Sequence, residues 1–161
     1  MPPVVLVHVL ALVVFVVFHA VSAVSMFQVR AEPDRAKLTS ILNRSGWALI
    51  VAGIAILVAL IAGIVAAFIQ GVWNKLWIWI SLILLIAAFG AMTPLAGVPM
   101  RNVRIALGMQ MGKPKAGEAP AVPLSDAELA TARAALRPEP VASMGVAALV
   151  IITWLMYAKP F

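Results

Sequence analysis

Four long runs without charge constrain this sequence more than any other feature. No Asp, Glu, Lys or Arg interrupts them, and they cover residues 4–27, 46–69, 76–96 and 141–158. A helix needs about 20 apolar residues to cross the hydrocarbon core of a bilayer. Inside lipid such runs must be helical, because isolated strands leave backbone polar groups unsatisfied. The sequence therefore predicts an all-α fold, a four-transmembrane-helix bundle formed by one integral membrane domain over residues 1–161.

The amino-acid composition is that expected of a protein embedded in a lipid bilayer. Hydrophobic residues make up 64% of the sequence and charged residues 11%, whereas soluble domains average about 45–50% apolar and about 25% charged. The net charge of +6 would suggest nucleic acid in a soluble protein. Here the basic residues flank apolar runs, so the expected partner is the lipid bilayer with its anionic surface, and no nucleic acid. The absence of cysteine excludes disulfides, iron–sulfur clusters and thiolate zinc sites.

The distribution of Lys and Arg predicts the orientation. Ten of the twelve lie in the segments 28–45 and 97–140, and the other two are Lys75 and Lys159. The positive-inside rule then places both basic segments in the cytoplasm and both termini outside. No basic residue precedes the first run and four follow it, which is the opposite of a signal peptide, so we predict a retained first helix. The expected location is the bacterial inner membrane.

The segment 97–140 is predicted to be a long cytoplasmic loop that contains short amphipathic helices. The first follows Pro94, which we expect either to kink the third span as a hinge or, in the favoured alternative, to end it. The apolar residues of this helix recur at helical spacing: Met100, Val103, Leu107 and Met111. A linker rich in Pro, Gly and Ala comes next. The second helix begins with a capping box formed by Ser125 and Glu128, and Pro138 is expected to end it. This helix either lies across the bundle as a surface helix or docks a partner.

Small residues form a stripe along the second span. Their spacing of three and four residues keeps them on one helix face, which allows another helix to approach closely. The stripe consists of Ala48, Ala52, Ala55, Ala59, Ala62 and Ala66. The expected neighbours are the first and third spans. Such a bundle is tight and leaves little room for a substrate cavity.

Two histidines are the candidate ligands. His8 and His19 are the only histidines in the chain, and their separation of eleven residues places them on one face, about 16 Å apart along the helix axis. They are too far apart to share one metal ion. Each is predicted to make a hydrogen bond to a serine or a carbonyl across the bundle, and Ser22 lies on the His19 side. The alternative is ligation of copper or haem with a methionine thioether. The candidate thioethers belong to Met26, Met92, Met144 and Met156.

Three short motifs resemble those of a known family. They are LVHVLA in the first helix, GVWNKLWIWISLIL at the third, and WLMYAKP near the end. They are similar to a bacterial four-helix integral-membrane family of unknown function, which is distantly similar to the copper-resistance D membrane domain. The resemblance implies a four-span fold and matches His8 to the early histidine of such domains. It bears on fold and location more than on activity.

The sequence lacks the residues and motifs of several functional classes, which are therefore disfavoured. No carboxylate lies within a span, which argues against an ion-coupled transporter. The sequence contains no P-loop, GxSxG or HExxH motif, so we expect no enzymatic activity. We therefore predict an uncharacterised class of accessory or scaffold membrane subunit without a cofactor, which self-associates or joins a larger membrane complex. The alternative is a copper- or haem-binding membrane protein that uses His8, His19 or both.

Overall fold

A computed structural model describes residues 2–110, 112 and 121–160. These residues contain six α-helices and no strand. The helices are α1 (Pro3–Ala31), α2 (Arg35–Gln70), α3 (Leu76–Met92), α4 (Val98–Ala106), α5 (Asp126–Ala134) and α6 (Pro138–Ala158). Four helical stretches are long and apolar enough to cross a membrane. The all-α fold with four membrane-length helices is thus confirmed.

The second helix is longer than a bilayer requires. Its 36 residues correspond to about 54 Å at 1.5 Å per residue, whereas the hydrocarbon core is about 30 Å thick. Asp34 caps its start by accepting a hydrogen bond from the backbone N–H of Lys37 at 2.9 Å. Gly71, in the left-handed region with φ 63°, ends it. The first part of α2, residues 35–45, therefore extends beyond the apolar run. It contains three basic residues and is available to pack against other helices.

Pro94 changes the type of helix and does not end the helical path. The α-helical geometry stops at Met92, and a π-helical turn over Thr93–Gly97 leads directly into α4. Proline lacks the N–H of an α-helical hydrogen bond, and the wider turn accommodates it, with the Val98 N–H donating to the Thr93 carbonyl. The predicted helix end at Pro94 is therefore wrong, because the chain continues as one helical stretch from Leu76 to Ala106.

The long helices associate as two pairs. α1 packs along α2, and α3 packs along α6, while α1 and α6 make smaller contacts between the pairs. All six alanines of the stripe on α2 are buried, with at most 7% of their surface exposed. The first span is therefore their main neighbour. The third span, which we also expected there, packs against α6 instead.

Residues at intervals of seven along α1 form its side of the seam with α2. The His8 ring bonds to a carbonyl of α2, and Phe15 packs with two alanines of the stripe. Ser22 shares a hydrogen bond with Ser45 at 3.1 Å, and Val29 belongs to a buried cluster with leucines of α2. A seven-residue repeat of this kind keeps one face of a helix against its neighbour. These contacts form a closed seam, in which His8 and Phe15 face small residues of α2 and Val29 packs beside leucines.

The largest core lies at the end of the bundle where α1 turns into α2. It joins residues of five helices and of the α5–α6 turn, namely Met26, Val29, Leu38, Leu42, Val103, Ala106, Leu129, Leu136 and Val141. We call α4, α5 and the described residues between them the cap. Apolar side chains of the cap cover the charged first third of α2 and the end of α1. The described residues of the segment 97–140 therefore contribute to the core.

Two arginines of the cap donate hydrogen bonds to backbone carbonyls of the hairpin formed by α1 and α2. Arg133 reaches the carbonyl oxygens of Val29 and Arg30 at 3.0 Å each, at the C-terminus of α1. The last carbonyls of a helix lack partners within it and carry partial negative charge. Arg104 donates to the carbonyl of Leu42 in α2. These contacts fix the cap on both helices of the hairpin.

Two ion pairs add to this attachment. Arg35 at the start of α2 lies 2.7 Å from Asp126 of the cap, and Arg30 of α1 lies 2.9 Å from Glu139 of α6. Exposed pairs contribute roughly 0.2–1 kcal/mol each. The Arg35 pair therefore supports the register of the cap and the Arg30 pair joins α1 to α6, while the apolar core supplies most of the stability of the cap.

The ends of the cap differ in part from the expectation. The capping box is present, because Ser125 accepts from the Glu128 N–H and Glu128 accepts from the Ser125 N–H. Pro138, however, is the first residue of α6 and not the end of the preceding helix, since proline suits the first helical turn. Met111 and most of the predicted linker, residues 113–120, lie outside the described residues.

Candidate functional site

His8 is held against the second helix by a hydrogen bond. Its Nδ1 lies 2.7 Å from the carbonyl oxygen of Ala59. Because a carbonyl only accepts, Nδ1 is the donor in this contact and carries a proton. The half-buried ring therefore makes the kind of contact expected for a neutral histidine that packs in a bundle.

Gly63 provides the space that the His8 ring occupies. A Cβ atom added at Gly63 would lie 2.9 Å from both Cε1 and Nδ1 of His8, which is closer than such contacts permit. The hydrogen bond to Ala59 thus depends on a glycine one turn further along α2.

We expect Gly63→Ala to destabilise the protein by about 1–2 kcal/mol, the usual cost of modest overpacking. The added methyl group displaces the His8 ring from Ala59. In a His8→Ala background the same substitution should be neutral or stabilising, because alanine favours a helix over glycine. Gly53→Ala is the matched control, since no atom lies within 4 Å of its new Cβ. Denaturant unfolding of the detergent-solubilised proteins measures the stability of the two single variants, their combination and the control. If Gly63→Ala lowers the free energy of unfolding equally with and without His8, the contact between Gly63 and the His8 ring is contradicted.

His19 has a different environment from His8. Its ring stacks on Phe15 with centroids 5.2 Å apart and planes at 21°. Ser22, the expected partner, instead bonds to Ser45. Within the described residues the ring of His19 makes no hydrogen bond. His19 is therefore a half-buried polar ring that packing alone does not satisfy.

The side chains of His19 and Met92 both approach Gly145. A Cβ added at Gly145 would lie 3.1 Å from the methyl Cε of Met92 and 3.9 Å from Nε2 of His19. These groups come from α1 and α3, and the point where they meet lies on α6. Of the other candidate thioethers, Met26 is 3% exposed in the core beneath the cap, and Met156 packs near Trp77 at the opposite end.

The described residues offer no larger constellation of ligands. No group of three or more His, Cys, Asp or Glu side chains there is arranged to hold a metal ion. Two concave surfaces among the described residues are apolar. One follows α6 from Ala142 to Ile151. The other lies between α1 and α2 and is lined by Ala11 and Val14 of α1 and by residues between Val51 and Val58 of α2. The sites worth considering are thus the two histidines and their neighbours.

Comparison with known proteins adds no further information on function. A scan against protein-family models, a search of curated proteins and a search of solved structures found no match to this chain. The inference of function therefore rests on the chain's own side chains and their contacts.

Proposed function

We propose that this chain is a non-catalytic accessory or scaffold subunit in the bacterial inner membrane. The observation that carries the proposal is the closed seam between α1 and α2. Its six alanines are buried, and side chains of α1 fill the space opposite them. A seam of this kind supports a rigid membrane element more readily than a pore or a chamber for a substrate.

We infer that both termini lie outside and that the cap lies in the cytoplasm. The support is the charge distribution, because ten of the twelve Lys and Arg residues belong to the end that carries the cap. The aromatic residues are consistent with this orientation, because Trp and Tyr rings favour a membrane interface. Five of them are grouped at the ends of the spans opposite the cap: Trp73, Trp77, Trp79, Trp154 and Tyr157.

The basic residues of the cap support a protein or lipid partner over nucleic acid. Arg133 and Arg104 donate to backbone carbonyls, and Arg35 pairs with Asp126. Binding to nucleic acid requires cations that face outward to the phosphates. The expected partners are therefore the bilayer and either a second copy of the chain or other membrane subunits.

Native mass spectrometry tests the scaffold role. Protein extracted from its own membranes in mild detergent should appear as multiples of 17.1 kDa or within a larger complex. Reconstitution into liposomes should produce no ion flux above that of empty liposomes. A lone 17.1 kDa chain in both detergent and nanodiscs would contradict the scaffold role, and a measurable ion flux would contradict the closed bundle.

Binding of copper or haem at the histidines is the second candidate. Two observations favour it. A Cβ added at Gly145 would lie 3.9 Å from Nε2 of His19 and 3.1 Å from the Cε methyl of Met92, and Nδ1 of His8 donates its proton to the Ala59 carbonyl, so that Nε2 of a neutral ring is available. Ligating histidines commonly donate their other N–H to a carbonyl in this way. Metal analysis and visible spectroscopy of the purified protein test it. Copper at stoichiometric level or a Soret band supports it, and the lack of both contradicts it.

A further inference from the structure

We propose that Arg101 and Arg104 bind the phosphate of an anionic phospholipid whose acyl chains lie along an uncovered face of α2. The proposal deepens the expectation that the bilayer is a partner of this chain and rests on it, whereas the scaffold role and the metal-binding candidate are independent of it. It follows from the depth of the two arginines in the membrane, from their contacts and from the exposure of α2 beside them.

The guanidinium of Arg104 lies at the edge of the membrane-spanning part of α2. It donates to the Leu42 carbonyl, and a Cβ added at Gly46 would lie 3.3 Å from its Nη2. Gly46 is the first residue of the second uncharged run, so the guanidinium is level with the boundary between headgroups and acyl chains. Side chains of a helix lean toward its N-terminus, which for α4 is the membrane side. At this depth the anionic groups within reach are lipid phosphates.

Arg101 lies beside Arg104 on the outward flank of α4. The two are three residues apart, so their Cβ atoms are about 5–6 Å from each other on one helix surface, while Val103 and Ala106 of the same helix are buried in the core. Arg101 is exposed and lies five residues beyond Ala96, the end of the third uncharged run, which corresponds to about 8 Å at 1.5 Å per residue. It is therefore also within the headgroup layer, which is roughly 5–8 Å thick on each side of a bilayer.

The two guanidinium groups retain donors for a phosphate. An arginine has five N–H donors, and within the described residues Arg104 uses a single one, for the Leu42 carbonyl. Arg101 makes no hydrogen bond there, and neither arginine belongs to the two ion pairs, which use Arg30 and Arg35. Arginine binds phosphate oxygens through two parallel N–H groups. Two adjacent cations without a carboxylate partner among the described residues therefore favour a lipid of net negative charge over a zwitterionic one.

The face of α2 below Arg104 has room for an acyl chain. Leu49 and Gly53 follow Gly46 at intervals of three and four residues, which keeps the three on one side of the helix. Leu49 is 49% exposed, and no atom lies within 4 Å of a Cβ added at Gly53. Among the described residues, α2 packs extensively only along α1. An acyl chain can therefore lie along this face of α2, below a phosphate held by α4.

Native mass spectrometry with defined lipids tests the site. The full chain is released from nanodiscs of equal parts phosphatidylglycerol and phosphatidylethanolamine, and the lipids that stay bound are counted for the wild type, Arg101→Gln and Arg104→Gln. Arg44→Gln is the matched control, because Arg44 is an exposed cation two residues before Gly46 that bonds to Gln28 of α1. Arg101→Gln removes no hydrogen bond among the described residues, so it remains informative if Arg104→Gln does not fold. Circular dichroism and size-exclusion chromatography check the fold of each variant.

We expect the wild type to retain one phosphatidylglycerol per chain in preference to phosphatidylethanolamine. Each site variant should lower that preference by about fivefold, and Arg44→Gln should leave it unchanged. Equal retention of the two lipids by the wild type overturns the site. An equal loss of preference in Arg44→Gln and Arg101→Gln also overturns it, because the effect then comes from surface charge alone. Both of these results would preserve the bilayer as a partner, and neither changes the number of chains per complex, which tests the scaffold role.

Discussion

Ala59→Leu is expected to lower the free energy of unfolding by about 2–4 kcal/mol, through overpacking of the seam and loss of a hydrogen bond. Ala59 is 1% exposed beneath α1, and its carbonyl accepts the hydrogen bond from His8. A leucine side chain there requires α1 to move away from α2, which also opens the contacts of the other buried alanines. Unfolding in SDS, followed by tryptophan fluorescence of the solubilised protein, measures the change.

Gly53→Leu is the control for this prediction. It makes a larger change in side-chain size on the same helix, but no atom lies within 4 Å of the new Cβ. We expect stability equal to or above that of the wild type, since leucine favours a helix over glycine. If Ala59→Leu unfolds at the same SDS fraction as Gly53→Leu, α1 does not pack on the alanine stripe.

Leu42→Ala is expected to destabilise the cap by about 2–5 kcal/mol, the range for buried leucines. Leu42 is 0% exposed and belongs to the core that joins α2 to the cap. Loss of the Leu42 side chain should leave the long apolar helices in place and weaken the packing of the cap against them. Hydrogen exchange should therefore quicken in α4 and α5 more than in the middle of α2.

Leu57→Ala separates this effect from a general loss of apolar surface. Leu57 lies on the same helix with 56% of its surface exposed, where lipid replaces the lost contacts. We expect hydrogen exchange in the cap to match the wild type. Equal acceleration of exchange in both variants would mean that Leu42 does not anchor the cap.

Hydrophobic patterning predicted the helices because a membrane-length apolar run has few alternatives. The alanine stripe predicted a close helix contact for the same reason, since small residues in phase have a direct geometric consequence. Pairing of the helices was less accessible, because α3 packs on α6, which follows it after a long segment. Sequence order favoured neighbours joined by short turns.

The side-chain contacts of the cap and of the candidate site were less predictable for a related reason. Arg133 lies in the segment predicted to be a cytoplasmic loop with short helices, yet it bonds to the end of α1, more than a hundred residues earlier. Met92 was one of four candidate thioethers, and only the tertiary contact at Gly145 distinguishes it from the others. Gly63 and Gly145 themselves carry no signal in a single sequence, because the side chains that they accommodate belong to other helices.

Labelling of single cysteines tests the membrane arrangement most directly. The chain contains no cysteine, so Asn74→Cys in the α2–α3 turn and Thr131→Cys in the cap each provide one reactive thiol at an exposed position. A membrane-impermeant maleimide is added to intact cells whose outer membrane admits it, and then to permeabilised cells. We predict that Asn74→Cys is labelled in both and Thr131→Cys only after permeabilisation. Labelling of Thr131→Cys in intact cells, with Asn74→Cys protected, would contradict the orientation, and equal labelling of both would contradict the membrane-spanning arrangement itself.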